Sequence, residues 1–289
     1  MAVDTYALTS LSNLKDWIGV TGTADDAILE SAIDRASDII ETYCERKFKS
    51  RTFYEFVQPN GERTVTVDNV PIISINSVAY GSAIAFTVES DTDSSDVLAT
   101  VGNDGSGIRL HKVASDGTAT TSTVAFSSYA TTTLIVNYIN ASVSGWSATL
   151  SVNAYARSLY RFGGRGVIDA PCHFEYPRDN VSEYRVDFAT GQIHMIADRF
   201  PGIRSDDASA NRFPSGFFPV FVEYEAGFAT IPDDLEQSAI EIAADLYRER
   251  KQDRTLGSES LGDYNYSRVA VAELLTARWD KLQTYKEIR

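Results

Sequence analysis

The sequence predicts an α+β protein: a discontinuous helical bundle built from both ends of the chain, with an antiparallel β-rich domain inserted between them. Three observations predict it. Apolar residues at the two ends recur at helical spacing. Those in the middle alternate with polar residues between turn-forming pairs. The Pro232-Asp233-Asp234 step, which returns the chain to helix, is a helix start. On this reading residues 1–56 and 229–289 form the helical domain, and residues 57–228 form the β-rich insertion.

The elements follow in order. Leu11, Leu14 and Ile18 share one face of a short helix that Gly19 can stop. After a turn at Val20-Thr21-Gly22, Thr23 is placed to cap a second helix, with Asp25 and Asp26 in its first turn. Its apolar stripe is Leu29, Ile33, Ala36, Ile40 and Tyr43, running to about Cys44. The basic stretch Arg46-Lys47-Phe48-Lys49 lies at its C-terminal end, where cations are favoured.

From about Thr52 the period changes. Val65 and Val67 alternate with polar residues, and Ile73 and Ile75 continue after Pro71. Turn signals stand at Asn60-Gly61, Asn103-Asp104-Gly105, Asp116-Gly117 and Thr190-Gly191. Within this region one helix is expected, with Leu134, Ile135, Tyr138 and Ile139 on its apolar face and Gly145-Trp146 ending it. Val220, Val222 and Tyr224 alternate as a half-buried strand. Past Pro232, Leu235, Ala239, Ile242, Ala243 and Leu246 make a helical face. Residues 255–264 read as a linker, and 268–287 as a last helix carrying Val271, Leu274, Leu275, Leu282 and Tyr285.

Composition bounds the function. The 289 residues are 43% apolar and 23% charged, enough for a sizeable core. No apolar run approaches the roughly 18 residues of a membrane span. Residues 1–14 lack a basic segment followed by an apolar core, so no secretory signal is expected and the chain is read as cytosolic. The net charge is −14, spread as −4, −7 and −3 over residues 1–58, 59–231 and 232–289. A large basic face for nonspecific duplex binding is disfavoured. Cys44 and Cys172 cannot build a disulfide scaffold or a four-cysteine zinc site, and read as two buried thiols.

Motifs for catalysis are absent: there is no G-x-S-x-G, no phosphate-binding Walker loop and no H-E-x-x-H. Gly102, Gly105 and Gly107 do not match a dinucleotide fingerprint. His111, His173 and His194 are far apart, and the Cys172-His173 step alone is a weak metal signal. Asp91, Asp93 and Ser95 begin like a calcium loop, but Asp96 and Gly102 stand where Gly and Glu are needed. No catalytic, cofactor or metal residues are therefore assigned, no cofactor is expected, and the chain is not read as an enzyme.

Two stretches could make contacts. Arg157, Arg161 and Arg165 surround Phe162-Gly163-Gly164, as a loop for phosphate or an acidic partner, or as an exposed loop kept soluble by its arginines. Phe213 and Phe217, with Arg199, Phe200, Arg204 and Phe218, either mark a contact surface or plug the edge of the β-domain.

Three stretches resemble the tailed-phage head–tail connector family, also called the adaptor or head-completion family. They are the opening, Thr9-Ser10-Leu11 through Asp25-Asp26 to Tyr43-Cys44; the strand Val70-Pro71-Ile72-Ile73-Ser74-Ile75; and the junction Val222-Glu223-Tyr224-Glu225-Ala226-Gly227-Phe228 followed by Pro232-Asp233-Asp234-Leu235. The resemblance covers about 1–80 and 185–289, and residues 81–184 are an extension atypical of that family. It implies a structural virion protein that forms a ring, typically of twelve copies, under the portal protein at the head–tail junction. Such a protein links the portal to a stopper or tail-completion protein and lines the channel through which genome DNA passes without sequence-specific binding. It is assembled in the host cytoplasm, has no membrane partner, and is expected to be monomeric or weakly associated when isolated. By the same resemblance the portal-facing element is residues 264–289, with Tyr264, Tyr266, Arg268, Trp279, Tyr285 and Arg289 as interface candidates; Trp279 and Tyr285 read equally well as packing residues. The competing reading is a virion decoration or host-glycan-binding module in the insertion, with Trp146 and Tyr129 as its aromatic candidates.

Overall fold

The computed structural model describes residues 3–59, 63–90, 96–168, 170–181, 183–195, 219–250, 258–261, 264–267 and 282–286. The fold is α+β, with helices in the N- and C-terminal regions and a β-rich middle. The chain begins with α1 (Leu11–Ile18) and α2 (Asp26–Cys44). The strands β1 (Arg51–Val57), β2 (Thr64–Thr66), β3 (Ile72–Tyr80), β4 (Ala83–Ser90), β5 (Asp96–Asn103), β6 (Gly107–Ala114) and β7 (Ala119–Ala125) follow, then α3 (Thr132–Ser142). Next come β8 (Trp146–Leu150), β9 (Phe162–Gly166), β10 (Cys172–Tyr176), β11 (Asp179–Asn180), β12 (Tyr184–Asp187), β13 (Gln192–Met195) and β14 (Val220–Ala226). The last elements are α4 (Asp233–Glu249) and a hairpin of β15 (Ser258–Leu261) and β16 (Tyr264–Ser267). Single 3-10 turns lie at Ala156–Ser158 and Gln283–Tyr285.

Two compact units divide the chain. Met1–Thr52, Asp68–Ile73 and Glu225–Arg289 make the first, and Phe53–Val67 with Ser74–Tyr224 the second. The strand orders are β1-β14-β3-β11, β10-β4-β8, β12-β13-β2, β7-β6-β5-β9 and the pair β15-β16.

In the first unit, α2 packs on α4, and α1 packs on both. The helical stripes read from the sequence supply the core: Leu14, Leu29, Ile33, Ala36, Ile40 and Cys44 lie against Leu235, Ala239, Ile242 and Ala243. Polar side chains fix the chain entering this bundle. Ser37 Oγ accepts from the Leu8 amide at 3.0 Å, and Glu236 Oε1 accepts from Thr9 Oγ1 at 3.0 Å and Asn13 Nδ2 at 2.7 Å. Ser10 caps α1 through the Asn13 amide, and Gly19 ends it at φ 69°, a left-handed conformation that glycine adopts without a Cβ penalty.

In the second unit, α3 covers β8 and β4. Ile135, Val136 and Ile139 meet Phe86, Val88, Trp146 and Phe174, and the rings of Phe86 and Phe174 stack at 4.4 Å. Thr131 accepts from the Leu134 amide as the cap of α3, and the Asn140 amide exchanges two hydrogen bonds with the backbone of Ala148, at 2.8 and 2.9 Å. The turns after β5, β6 and β12 fall at Gly105, Gly117 and Gly191, where the sequence signals stood. The Asn60-Gly61 signal and the Asp91-Asp93-Ser95 stretch lie outside the described residues.

Several expectations are corrected. Asp25, not Thr23, precedes α2, and it makes no side-chain cap bond; its carboxylate instead accepts from the Tyr247 hydroxyl at 2.5 Å, tying the helix start to α4. Leu134 is 47% exposed, because the buried face of α3 is Thr132, Ile135, Val136 and Ile139. The stretch read as a linker holds β15 and begins β16, paired antiparallel from Ser258–Ser267 to Leu261–Tyr264. Of the last helix expected over 268–287, the described part, 282–286, is a 3-10 turn; the rest lies outside the described residues.

The junction after β14 explains its Ala-Gly-aromatic sequence. Gly227 sits at φ 109°, its amide donates to the Pro71 carbonyl at 2.9 Å, and an added Cβ would lie 2.6 Å from the Phe48 carbonyl oxygen. Phe228 then donates to that same Phe48 carbonyl at 2.6 Å, and its own carbonyl accepts from Ser50 at 3.1 Å. Only glycine allows the three backbones to approach this closely. Gly227→Ala is expected to cost about 3 kcal/mol, from a forbidden φ together with a backbone clash. Urea unfolding of the variant checks it, and an unchanged midpoint would contradict the assignment.

Candidate interface residues

The sequence-predicted residues fall into two described sets. The first is the C-terminal segment. Tyr264 and Tyr266 lie on β16, opposite Leu261 and Glu259. Arg268, Trp279 and Arg289 lie outside the described residues. Tyr285 is docked within the first unit. Its ring meets Phe48 edge-on at 5.8 Å, and its hydroxyl donates to Asp234 Oδ1 at 2.6 Å. Burial, and secondarily this bond to a carboxylate, push its phenol up to about 12. Leu282 beside it is 1% exposed, Lys286 lies over the Tyr43 ring at 5.2 Å, and Arg46 Nη1 donates to the Tyr285 carbonyl at 3.4 Å. Leu282 is thus part of the core of the helical unit, and Tyr285 is partly buried against it.

The second set is the arginine cluster of the second unit, where each guanidinium lies over a ring. Arg157 lies 5.1 Å from the Tyr54 centroid, Arg161 5.5 Å from Phe56 and Arg165 4.6 Å from Phe162. Tyr54 and Phe56 point to one side of β1 because strand side chains alternate. On the other side Phe53 stacks on Tyr224 at 5.5 Å, and the Tyr224 hydroxyl donates to Glu55. Tyr155 extends the row: its ring is 5.9 Å from that of Tyr54, and the two hydroxyls are 3.2 Å apart. Burial, then this hydroxyl pair, then the charge of Glu223 push the Tyr54 phenol up to about 12, with Arg157 opposing.

Arg161 and Phe162 also line an open cleft of about 400 Å3 with Gly102, Asn103, Asp104, Arg109 and Gly163. Asn103 is buried and builds it: Nδ2 donates to the Leu159 and Tyr160 carbonyls at 3.3 and 3.0 Å, and Oδ1 accepts from the Gly105 amide at 2.9 Å. Asp104 Oδ1 accepts from the Ser106 amide and hydroxyl, both at 2.8 Å, and from the Gly107 amide at 3.0 Å, which holds its carboxyl below the usual range.

Sequence reading found the arginines and missed Tyr54, Phe56, Tyr155 and Arg109. The alternation Tyr54-Glu55-Phe56 was the available signal for the first two. Phe213 and Phe217, with Arg199, Phe200, Arg204 and Phe218, lie outside the described residues. The glycan-platform candidates fare differently. Trp146 is 5% exposed within the core, so it cannot offer a ring to a sugar, and Tyr129 packs on Tyr138 at 4.4 Å. Among the described residues, no group of three or more His, Cys, Asp or Glu is placed to hold a metal ion, and no helix is long and apolar enough to cross a membrane. Cys44 and Cys172 are free and buried.

Cys44 reports on the C-terminal docking. Its thiol donates to the Leu282 carbonyl at 3.7 Å, and burial pushes it up to about 11. At pH 8 it therefore stays protonated and unreactive. Thiol-reagent labelling of the native chain is expected to be slow at Cys44 and at least tenfold faster in Leu282→Asp, because a buried charge expels the segment. Equal labelling rates would show that residues 282–286 do not cover it.

Comparison with known proteins agrees with part of the resemblance. No curated protein matches the chain. Among solved structures it is similar to a chain described as "Neck of empty GTA particle computed with C6 symmetry", at 15% identity and a TM-score of 0.38, covering 100% of this chain and 95% of that one. A family model described as "Phage gp6-like head-tail connector protein" matches residues 8–96, which hold α1, α2 and the Val70-Pro71 strand but not the 222–235 junction. Over residues 8–96 the chain is thus similar to the phage gp6-like head-tail connector family, in the region of its opening helices and proline-led strand.

Proposed function

We propose that this chain is a head–tail adaptor of a tailed virus particle: a structural virion protein whose copies form a ring under the portal, typically twelve, and join it to a stopper or tail-completion protein. The observation that carries the reading is the family match over residues 8–96, which contain two helices of the helical unit and the strand that follows them. The site is the head–tail junction, reached after assembly in the host cytoplasm.

The charge supports the role in the channel. At −14 the chain repels phosphate, so DNA can slide past a ring of such subunits without being held by sequence-independent contacts. Catalysis has no part in this reading. The decoration or glycan-binding alternative is weakened by the burial of Trp146, the larger of its two aromatic candidates.

The portal contact is proposed for the C-terminal segment, with Tyr264, Tyr266, Arg268, Trp279 and Arg289 as its residues, consistent with the aromatic and arginine content of interfaces. Tyr285 contributes by holding the segment's end on the helical unit. A chain cut after Asp263 would lose Leu282 and Tyr285 from that core, so the test uses substitutions. The full chain and Tyr264→Ser/Tyr266→Ser/Arg268→Ser are each mixed with the portal protein encoded beside it and run on size exclusion. The full chain is expected to co-elute and the triple variant to elute alone. Co-elution of both would move the contact off residues 264–268, and co-elution of neither would remove the adaptor reading.

A further inference from the structure

The stacked arginines of the second unit are unusual for their charge environment. The chain holds 40 acidic and 26 basic residues, yet among the described residues no carboxylate pairs with Arg109, Arg157 or Arg161. Arg157 and Arg161 lie over aromatic rings, and Asp104, the acid that shares the cleft with Arg161 and Arg109, turns its Oδ1 to the Ser106 amide and hydroxyl and the Gly107 amide.

The geometry leaves them ready for a carboxylate. A guanidinium lying over a ring keeps its in-plane N–H groups open, and these match the two oxygens of a carboxylate. Arg157 is held over Tyr54 and Arg161 over Phe56, so less side-chain freedom remains to be lost on binding. Arg161 and Arg109 line the same cleft, whose wall is fixed by the three hydrogen bonds of buried Asn103. Tyr155, 38% exposed, continues the row at the Tyr54 end. Tyrosine and arginine beside a cleft are the composition of an interface hot spot.

We propose that this row, from Tyr155 and Arg157 through Arg161 to Arg109, docks an acidic surface of a second copy of the same chain, with the cleft receiving a carboxylate. Charge complementarity chooses the occupant: residues 1–58, 59–231 and 232–289 are each net negative, so a second copy is rich in carboxylates along its whole length, and the row is a basic feature that can accept them. This names a contact between the copies of the proposed ring and rests on that reading. Overall repulsion between two chains of −14 keeps the contact weak in free solution and lets it form where copies are held together.

The test uses the full chain alone, so it is independent of portal binding. A photo-crosslinking phenylalanine analogue replaces Tyr155, and the chain is irradiated over a concentration series. Chain–chain dimers are expected, with crosslinks mapping to segments rich in Asp and Glu. Arg157→Glu/Arg161→Glu should lower the dimer yield about tenfold. Arg157→Lys/Arg161→Lys, which keeps the charge and the stacking stem but loses the fork, should lower it less. Matched thermal melts show that each variant is folded. The absence of dimer at every concentration, a yield indifferent to charge reversal, or crosslinks confined to apolar segments would each overturn the proposal. So would protection of the row by a short DNA duplex without any chain–chain dimer, which would assign the guanidiniums to phosphate.

Discussion

The helical unit depends on one buried carboxylate. Glu41, in the last turn of α2, is 7% exposed and would be costly there without partners. It has three: Arg51 Nη2 donates to Oε1 at 3.0 Å, Lys47 Nζ to Oε2 at 2.6 Å, and the Phe48 amide to Oε1 at 3.4 Å. These bonds fold the chain back after Glu45, whose φ of 56° ends the helix, and bring Phe48 into the core. Arg51 also lies over the Tyr6 ring at 4.0 Å, so the N-terminal segment, the end of α2 and the start of β1 share one charged centre. Replacing the carboxylate would leave Arg51 half-enclosed without its anion and loosen all three.

Around that turn the distant parts of the unit meet. Phe48 offers its ring to Tyr285 and its carbonyl to Phe228, while Arg46 reaches the Val70 and Tyr285 carbonyls. The segments that carry the resemblance, the opening helices, the Val70-Pro71 strand and the Ala226-Gly227-Phe228 junction, are thus bonded to one another through residues 46–50. This is a physical reason for their occurring together: each supplies a backbone or side chain that the others require. The turn at Gln283–Tyr285 belongs to the same assembly through Phe48 and Arg46, while residues 264–267 pair with 258–261 in a hairpin.

Helices with an apolar stripe were legible because their signal is local. The stripes Leu29-Ile33-Ala36-Ile40 and Leu235-Ala239-Ile242 name the core directly. Turn glycines 105, 117 and 191 were legible for the same reason. What failed was set by partners remote in sequence. Leu134 looks apolar-facing by period, but the burial of α3 is decided by where β4 and β8 lie. The β15–β16 hairpin has too little alternation in Ser-Glu-Ser-Leu to announce a strand. The arginine cluster was visible as charge, while its placement on Tyr54 and Phe56, and the joining of Arg109 to it, required the fold. The proposed function was legible only through the resemblance, since the sequence holds no G-x-S-x-G, Walker or H-E-x-x-H motif.

The most direct measurement of the proposed role is electron cryo-microscopy of the particle that contains this chain, focused on the head–tail junction. The reading predicts copies arranged around the DNA channel between the portal and the next tail component, with the helical unit of residues 8–52 and 225–250 recognisable in each. Density for the chain on the capsid exterior or at the tail tip, with none at the junction, would contradict it.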